Sequence, residues 1–425
     1  MTVQSISEFL DKFILCLLVL SVLIFRYLGF TSRINLILIV LFSLSILLNI
    51  YSYITDGLLI CFILILLYLY YNKQKIGGSN DILINNAIQI IPSLLTMLYM
   101  FHLLKYRKHY IAKFLTRNIW FFNVYLYISI PFIILQANGM YSLAGVANGQ
   151  INNLGVDMIS GLFGFNGTPV LALFVAFTMI LNYAYYTSFC RSNQRSLFLF
   201  MTLPLFIFYS ILPLFNDNKT YYFILLMFLF IYVIFVCYGK TTTNTLFETR
   251  LRRIKVSLII FSLFIISFIL LMQIKPFKET TDTLLREVQN GWKYGSLYQG
   301  SNERIGMIQY GLSQPKYLLM GHGIGTHTWT EQGLFGFRHY GQSDLGTFLC
   351  LGGLIFIFLL FASIYIFSNN CINSIFLKVV IILFFIILSI YTQVFTVMSL
   401  TISVMFEICL CVIGYTHTRE RTQLE

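Results

Sequence analysis

The sequence predicts an all-α, polytopic integral membrane protein, with about twelve transmembrane helices and one large external loop that carries short helices of its own. Three observations predict it. Of 425 residues, 58% are hydrophobic and 10% charged, whereas an ordinary soluble domain is about a quarter charged. Apolar runs of about 18 residues or more recur along the chain, each long enough to cross a hydrocarbon core about 30 Å thick. The basic residues cluster in short connectors between these runs, where membrane topology accounts for them. The formal charge of +12 therefore gives no reason to expect a nucleic-acid partner.

In chain order the runs lie near 12–30, 34–54, 57–72, 82–104, 119–138, 169–189, 196–215, 220–239, 256–274, 344–367, 374–391 and 393–415. Residues 1–12 hold Glu8 and Asp11, and the apolar run after them is long enough to remain as a span, so no cleavable signal peptide is expected. Lys105, Arg107, Lys108, Lys113 and Arg117 crowd one connector, Arg191 and Arg195 another, and Arg250, Arg252, Arg253 and Lys255 a third. These fall on one side in the count above and are expected in the cytoplasm, with both termini. The loops 139–168 and 275–343 then lie outside. Arg33, Lys73 and Lys75 would also be external, against the trend.

The loop 139–168 is rich in Gly and Asn, with turn signals at Asn138-Gly139, Asn148-Gly149 and Asn166-Gly167. Asn166 and Asn218 open glycosylation-type triplets, a pattern short enough to arise by chance. The eight cysteines all sit in runs or at their ends, so no disulfide framework is expected for the external loops. No repeat of about 20–50 residues stands out. Charges within runs are few: Arg26, Lys378 and Glu407. Such charges are functional candidates, although Arg26 and Lys378 have stems long enough to snorkel to a span end. No chain of intramembrane acids of the kind a proton-coupled pump needs is present.

The segment from Lys275 to Asp344 is the long polar interruption. It carries His322, His327 and His339, Trp292 and Trp329, and the run GHGIGTHTW at Gly321 to Trp329. Long connectors are usually functional or disordered, and this one has too many aromatics and glycines for ordinary disorder. TTDTLLREVQNGW predicts a short amphipathic helix capped near Thr281 or Asp282. SNERIGMIQYGLS predicts a second, capped by Ser301 or Asn302, with Ile305, Ile308 and Leu312 on one face. Arg304 then sits in a first turn, where the macrodipole disfavours a cation by some tenths of a kcal/mol. An anionic ligand or a neighbouring Glu303 or Glu287 would compensate.

GHGIG is not read as a dinucleotide motif, because no strand–helix context surrounds it. Its glycines are expected to trace a tight backbone path. The three histidines match no standard zinc spacing and no cysteine assists them, so no metal and no cofactor is expected. His339, or one of His322 and His327 in support, has the pKa range of a general base, and each equally fits a hydrogen bond within the loop. Asp344 is either an N-cap at a span start, a base, or a group that orients a sugar hydroxyl. Lys219 lies in the short external turn NDNKT; with Arg304 and Arg338 it forms a candidate clamp for a diphosphate.

SNERIGMIQYGLSQPKYLLMGHGIGTH followed by HYGQSDLGTFLCLGGLIFIF resembles the late external loop and re-entering span of the bacterial O-antigen polymerase and ligase superfamily. In that superfamily an arginine opens a helix, a glycine-containing turn follows, and a polar pair precedes a glycine-bearing span. GLFGFNGTPVLALF is similar to an earlier segment of the family, and Lys219 in NDNKTYYFILL stands where the family commonly has an arginine. The likeness covers residues 160–360. Ser343-Asp344 occupies the place of the His-Asn pair of the ligases, which favours the polymerase branch. The resemblance implies a glycosyltransferase of the bacterial inner membrane with its active site facing the periplasm. It would join undecaprenyl-diphosphate-linked oligosaccharide repeat units for lipopolysaccharide O-antigen or a related capsule, with membrane lipid around it and a chain-length regulator and a flippase as partners. Arg304, Arg338 and Lys219 would hold the diphosphate, and His339 or Asp344 would be the base. The alternatives are a ligase that transfers polymer to the lipid A core and a lipid-linked oligosaccharide flippase; the long external loop argues against the latter.

Overall fold

The computed structural model describes residues 3–145, 159–165, 167–188, 194–212, 230–235, 303–329, 333–337 and 343–424, with single positions at 227, 282, 286, 289 and 331. Among them the chain is helical, with no β-strand. The helices are α1 (Val3–Leu20), α2 (Thr31–Leu48), α3 (Ile50–Thr55), α4 (Leu58–Ile76), α5 (Asn80–Tyr106), α6 (Lys108–Arg117), α7 (Ile119–Ala137), α8 (Thr168–Ser188), α9 (Arg195–Ile211), α10 (Glu303–Ser313), α11 (Asp344–Asn369), α12 (Ile375–Tyr391) and α13 (Met398–Leu424). Six of these, α2, α4, α5, α7, α8 and α11, are long and apolar enough to cross a membrane. The helices α9 and α12 and the first part of α13, Met398–Gly414, are apolar but shorter. The protein is a helical membrane protein. The predicted run at 256–274, most of that at 220–239 and the predicted helix at 281–292, apart from the single positions, lie outside the described residues.

Backbone packing divides the chain into two compact units. The first comprises Met1–Val19, Ser32–Lys105 and Asp282–Ile402. Its axis is α5, in which every residue from Pro92 to Leu104 is buried. Burial on all sides requires an apolar surface all round, and this helix is apolar all round from Leu94 to Leu104 apart from Thr96 and His102. Tyr99 packs on Phe42 (centroids 5.2 Å) and its hydroxyl donates to the buried Asp11 carboxylate (3.0 Å). His102 stacks on Tyr53 (4.1 Å). At the C-terminal end Lys105 pairs with Asp56, while the Asn370 amide donates to the Asp56 carbonyl (3.1 Å). Lys378 is buried, bonded to the Asn369 side chain and set over the Tyr365 ring (5.7 Å).

Helix α11 is broken at Gly353, whose φ of 70° and ψ of −175° no other residue type adopts without strain. The break frees carbonyls and amides that lipid would leave unsatisfied, so such a kink persists only where protein covers it. The loop after α10 covers it. His322 N–H donates to Cys350 O (2.8 Å) and Gly323 N–H to Leu351 O (3.0 Å), while Leu354 N–H and Ile355 N–H donate to Leu318 O (2.9 Å) and Leu319 O (3.2 Å). The Tyr68 hydroxyl takes Gly352 O (2.7 Å). A Cβ at 353 would meet the Leu319 carbonyl at 2.3 Å. Gly353→Ala is therefore expected to destabilise the protein by about 2 kcal/mol or more, read as a lowered melting temperature in detergent; an unchanged melt would show that the break is not required.

The second unit comprises Leu20–Thr31, Tyr106–Thr281 and Ser403–Glu425. Its centre is α8, buried from Val170 to Thr178, against an aromatic cluster in which Phe174 meets Phe122 (5.8 Å), Phe163 (5.4 Å) and Phe177 (5.7 Å). The end of the loop 139–168 folds back into these helices. Gln136 Oε1 accepts from Ser160 N (3.1 Å) and Gly161 N (2.8 Å), and Tyr125 donates to Leu162 O (2.7 Å). Arg26 does not reach away to a span end: its guanidinium donates to Phe163 O (2.9 Å) and Phe165 O (3.2 Å) and so anchors this loop. Glu407 is fully buried, and among the described residues neither of its carboxyl oxygens has a hydrogen-bond partner.

Candidate functional site

The site lies in the first unit, where the polar loop after α10 is built onto α4, α5 and α11. Two asparagines hold it. Asn72, in the last turn of α4, donates to Met320 O (2.6 Å) and accepts from Ile324 N (2.8 Å). Asn86, in the second turn of α5, donates to Ile324 O (2.7 Å) and His327 O (2.9 Å) and accepts from Trp329 N (2.9 Å). Both are 0% exposed. A carboxamide is the side chain that can satisfy buried carbonyls and a buried N–H together. The Trp329 indole donates to the Asn86 carbonyl (2.8 Å), and its ring packs on Phe348 (4.9 Å) and Phe356 (6.0 Å). Ser79 N–H adds a bond to Gly325 O (2.8 Å).

The glycines of GHGIG do trace a tight path. Gly321 has φ 71°, and a Cβ there would lie 2.3 Å from the Leu351 backbone, so the loop can approach the broken helix only without a side chain. Helix α10 packs in the same manner. A Cβ at Gly311 would meet Leu349 at 2.8 Å, and one at Gly346 would meet Met307 at 2.8 Å. Its buried face is Gly306, Met307 and Gly311, whereas Leu312 is 51% exposed. The predicted face of Ile305, Ile308 and Leu312 is thus corrected: close approach of small residues, not apolar bulk, decides which side turns inward.

His322 is held at its ring. Nδ1 lies 3.0 Å from Cys350 O; a carbonyl only accepts, so Nδ1 carries the proton and Nε2 the lone pair. The ring packs on Tyr317 (4.0 Å, 24°) and Phe335 (4.5 Å, 39°), with Tyr310 at 6.0 Å. Phe335 adopts φ 53°, a left-handed conformation unusual for an aromatic residue. Burial pushes the His322 pKa below its ordinary value; the hydrogen bond to Cys350 opposes this and His327 adds to it. His327 meets the edge of Phe335 (5.9 Å) and stands 3.6 Å from Glu331. The Lys316 ammonium lies 5.2 Å from the Tyr317 ring centre.

Of the residues singled out from sequence, the structure brings His322 and His327 into one aromatic cluster. Arg304 stands in the first turn of α10, six residues or about 9 Å along the helix from Tyr310, and its charge acts on the Tyr391 hydroxyl. Asp344 is 1% exposed at the start of α11. Its carboxylate accepts from Phe395 N–H and from Thr396 Oγ1 (2.7 Å), fastening the turn between α12 and α13. The N-cap of α11 is Ser343, whose Oγ accepts from Gly346 N (3.2 Å), so the N-cap reading of Asp344 is corrected by one position. Arg338, His339 and Lys219 lie outside the described residues. Among the described residues no three His, Cys, Asp or Glu side chains converge as a metal site would require.

Sequence reasoning missed Asn72, Asn86 and Tyr317, and it treated Lys73 only as a topological misfit. Lys73 runs along the loop, its Cγ 3.0 Å from where a Cβ of residue 325 would lie. The signal available for the asparagines was their position: amides at the ends of apolar runs, in LYLYYNKQ and INNAIQIIP. No family model, curated protein or solved structure matches this chain.

Proposed function

We propose that the protein is a membrane glycosyltransferase, an O-antigen polymerase or the polymerase of a related capsule glycan. On this reading it spans the bacterial inner membrane about twelve times and joins undecaprenyl-diphosphate-linked repeat units at a periplasmic site formed by the loop 275–343, with 139–168 on the same face. One observation carries the reading. The polar loop is built into the helices at the Asn86 end of α5, while the Lys105–Asp56 pair closes its other end, where the basic stretch of the sequence begins. Nineteen residues of helix separate Asn86 from Lys105, about 28 Å or one hydrocarbon thickness. If the basic end is cytoplasmic, the aromatic and histidine cluster faces the other side, where lipid-linked donors present their glycans after export.

The chemistry asked of the site is displacement at an anomeric carbon with a lipid diphosphate as leaving group. Charge develops on the diphosphate, and fixed cations at that point supply most of the gain. Arg304, with Arg338 and Lys219, is assigned to it; an arginine fork binds phosphate oxygens in pairs. On this reading a chain-length regulator and a flippase would act with it. Deletion of the gene tests the reading. A polymerase deletion should leave a lipid A core bearing a single repeat with no ladder on a gel, restored by the intact gene. A core bearing no repeat, with polymer left on its carrier, would indicate the ligase. Units trapped on the cytoplasmic side would indicate the flippase, and an unchanged ladder would overturn all three.

A further inference from the structure

We propose that His322 is the proton acceptor for the attacking sugar hydroxyl, an assignment that rests on the glycosyltransferase reading above. The argument is geometric. A side chain that takes a proton in a transition state needs a fixed tautomer, a fixed plane and an open lone pair. The carbonyl of Cys350 fixes the tautomer, because Nδ1 at 3.0 Å must donate to it. That carbonyl is held in place by the break in α11, and the loop amide of His322 itself binds the same oxygen (2.8 Å). Ring contacts with Tyr317 and Phe335, at 4.0 and 4.5 Å, fix the plane. Among the described residues Nε2 has no hydrogen-bond partner, and it is not fully buried, so its lone pair is open. Asp344, by contrast, has both carboxylate oxygens engaged in fastening a turn.

The step balances without a co-reactant. The acceptor sugar's hydroxyl oxygen forms a bond to the donor's anomeric carbon as the bond from that carbon to the diphosphate oxygen breaks. The leaving diphosphate keeps the electron pair. The hydroxyl proton passes to Nε2, and the resulting imidazolium donates from both nitrogens until it returns the proton to solvent. Among the described residues the groups facing the ring are Tyr310 from α10, Cys350 from α11, and Tyr317 and His327 from the loop, with Lys316 beside Tyr317 and Glu331 beside His327. No carboxylate among them contacts His322. Because burial and His327 lower its pKa, the imidazole stays neutral at pH 7. Competence is then present at neutral pH and lost as pH falls through a value below the ordinary 6.5.

His322→Asn separates this role from a merely structural one. An asparagine amide at this position can still donate to the Cys350 carbonyl but cannot accept a proton. With purified protein and undecaprenyl-diphosphate-linked repeat units, wild-type polymerisation is expected to show an acid limb below pH 6.5. His322→Asn is expected to lose about 100-fold or more in rate at unchanged melting temperature, with that limb gone. In parallel, diethyl pyrocarbonate, which acylates neutral imidazole, should modify His322 in the wild type with a midpoint below 6.5. A His322→Asn enzyme that polymerises at the wild-type rate overturns the assignment and leaves the polymerase reading standing, as does a His322 that resists acylation. A wild-type enzyme that joins no repeats overturns the reading and the assignment together.

Discussion

Asn86→Ala is expected to unseat the loop from 322 to 329 and to cost the protein about 3 kcal/mol or more. The carboxamide is 0% exposed and commits both N–H donors and its oxygen there: Nδ2 on Ile324 O and His327 O, and Oδ1 on Trp329 N–H. Removing it strands two carbonyls and one amide in a dry setting, each at about 1–3 kcal/mol. The methyl left behind offers them nothing. Asn86→Asp is the sharper variant. It keeps an acceptor for Trp329 but turns an oxygen towards the two carbonyls that Nδ2 now serves, so it should be at least as harmful despite its size. Hydrogen exchange in detergent micelles would read the effect directly, as lost protection at Ile324 and Trp329, whose amides end on Asn72 and Asn86. Wild-type protection in both variants would mean that the loop is held by packing of Trp329 and not by these bonds.

That result bears on how far the sequence could be read. Helices α4, α5, α7, α8, α11 and α12 fall within a few residues of the predicted runs, because apolar length is a strong signal in a chain that must satisfy a hydrocarbon slab. The run at 34–54 is in fact two helices, α2 and α3, parted at Asn49, and the final helix begins at Met398 instead of near 393. The residues between, Val394, Phe395 and Val397, are apolar enough to read as span, yet Phe395 and Thr396 turn their donors to Asp344. Hydropathy is blind to such a turn. It is equally blind to the break at Gly353, which stands in an unbroken apolar run and is covered by a loop about 30 residues earlier. The positioning role of Asn72 and Asn86 could not be read locally, since their partners are more than 235 residues away in sequence. The histidine and glycine run of the polar loop is where the structure gathers aromatic rings, a fixed imidazole and a break in a spanning helix.

Arg304→Ala is expected to abolish polymer formation at normal membrane abundance, with Arg304→Lys retaining weak activity. The placement is unfavourable for folding alone. A cation in the first turn of α10 meets the positive end of the helix dipole, at some tenths of a kcal/mol. The same position would suit an anion, because a helix N-terminus attracts negative charge and an arginine adds to it. A diphosphate would use the planar fork to bind two oxygens at once, which a lysine ammonium cannot do. Loss of that contact removes stabilisation that grows as the leaving group takes up charge, so the rate should suffer more than binding of the lipid-linked donor. The measurement is the surface glycan ladder of a deletion strain carrying each variant, with protein abundance in the membrane checked alongside. A full ladder from Arg304→Ala at wild-type abundance would reduce Arg304 to a helix-end charge. The diphosphate would then have to be held by cations elsewhere in the loop, Arg338 first among them.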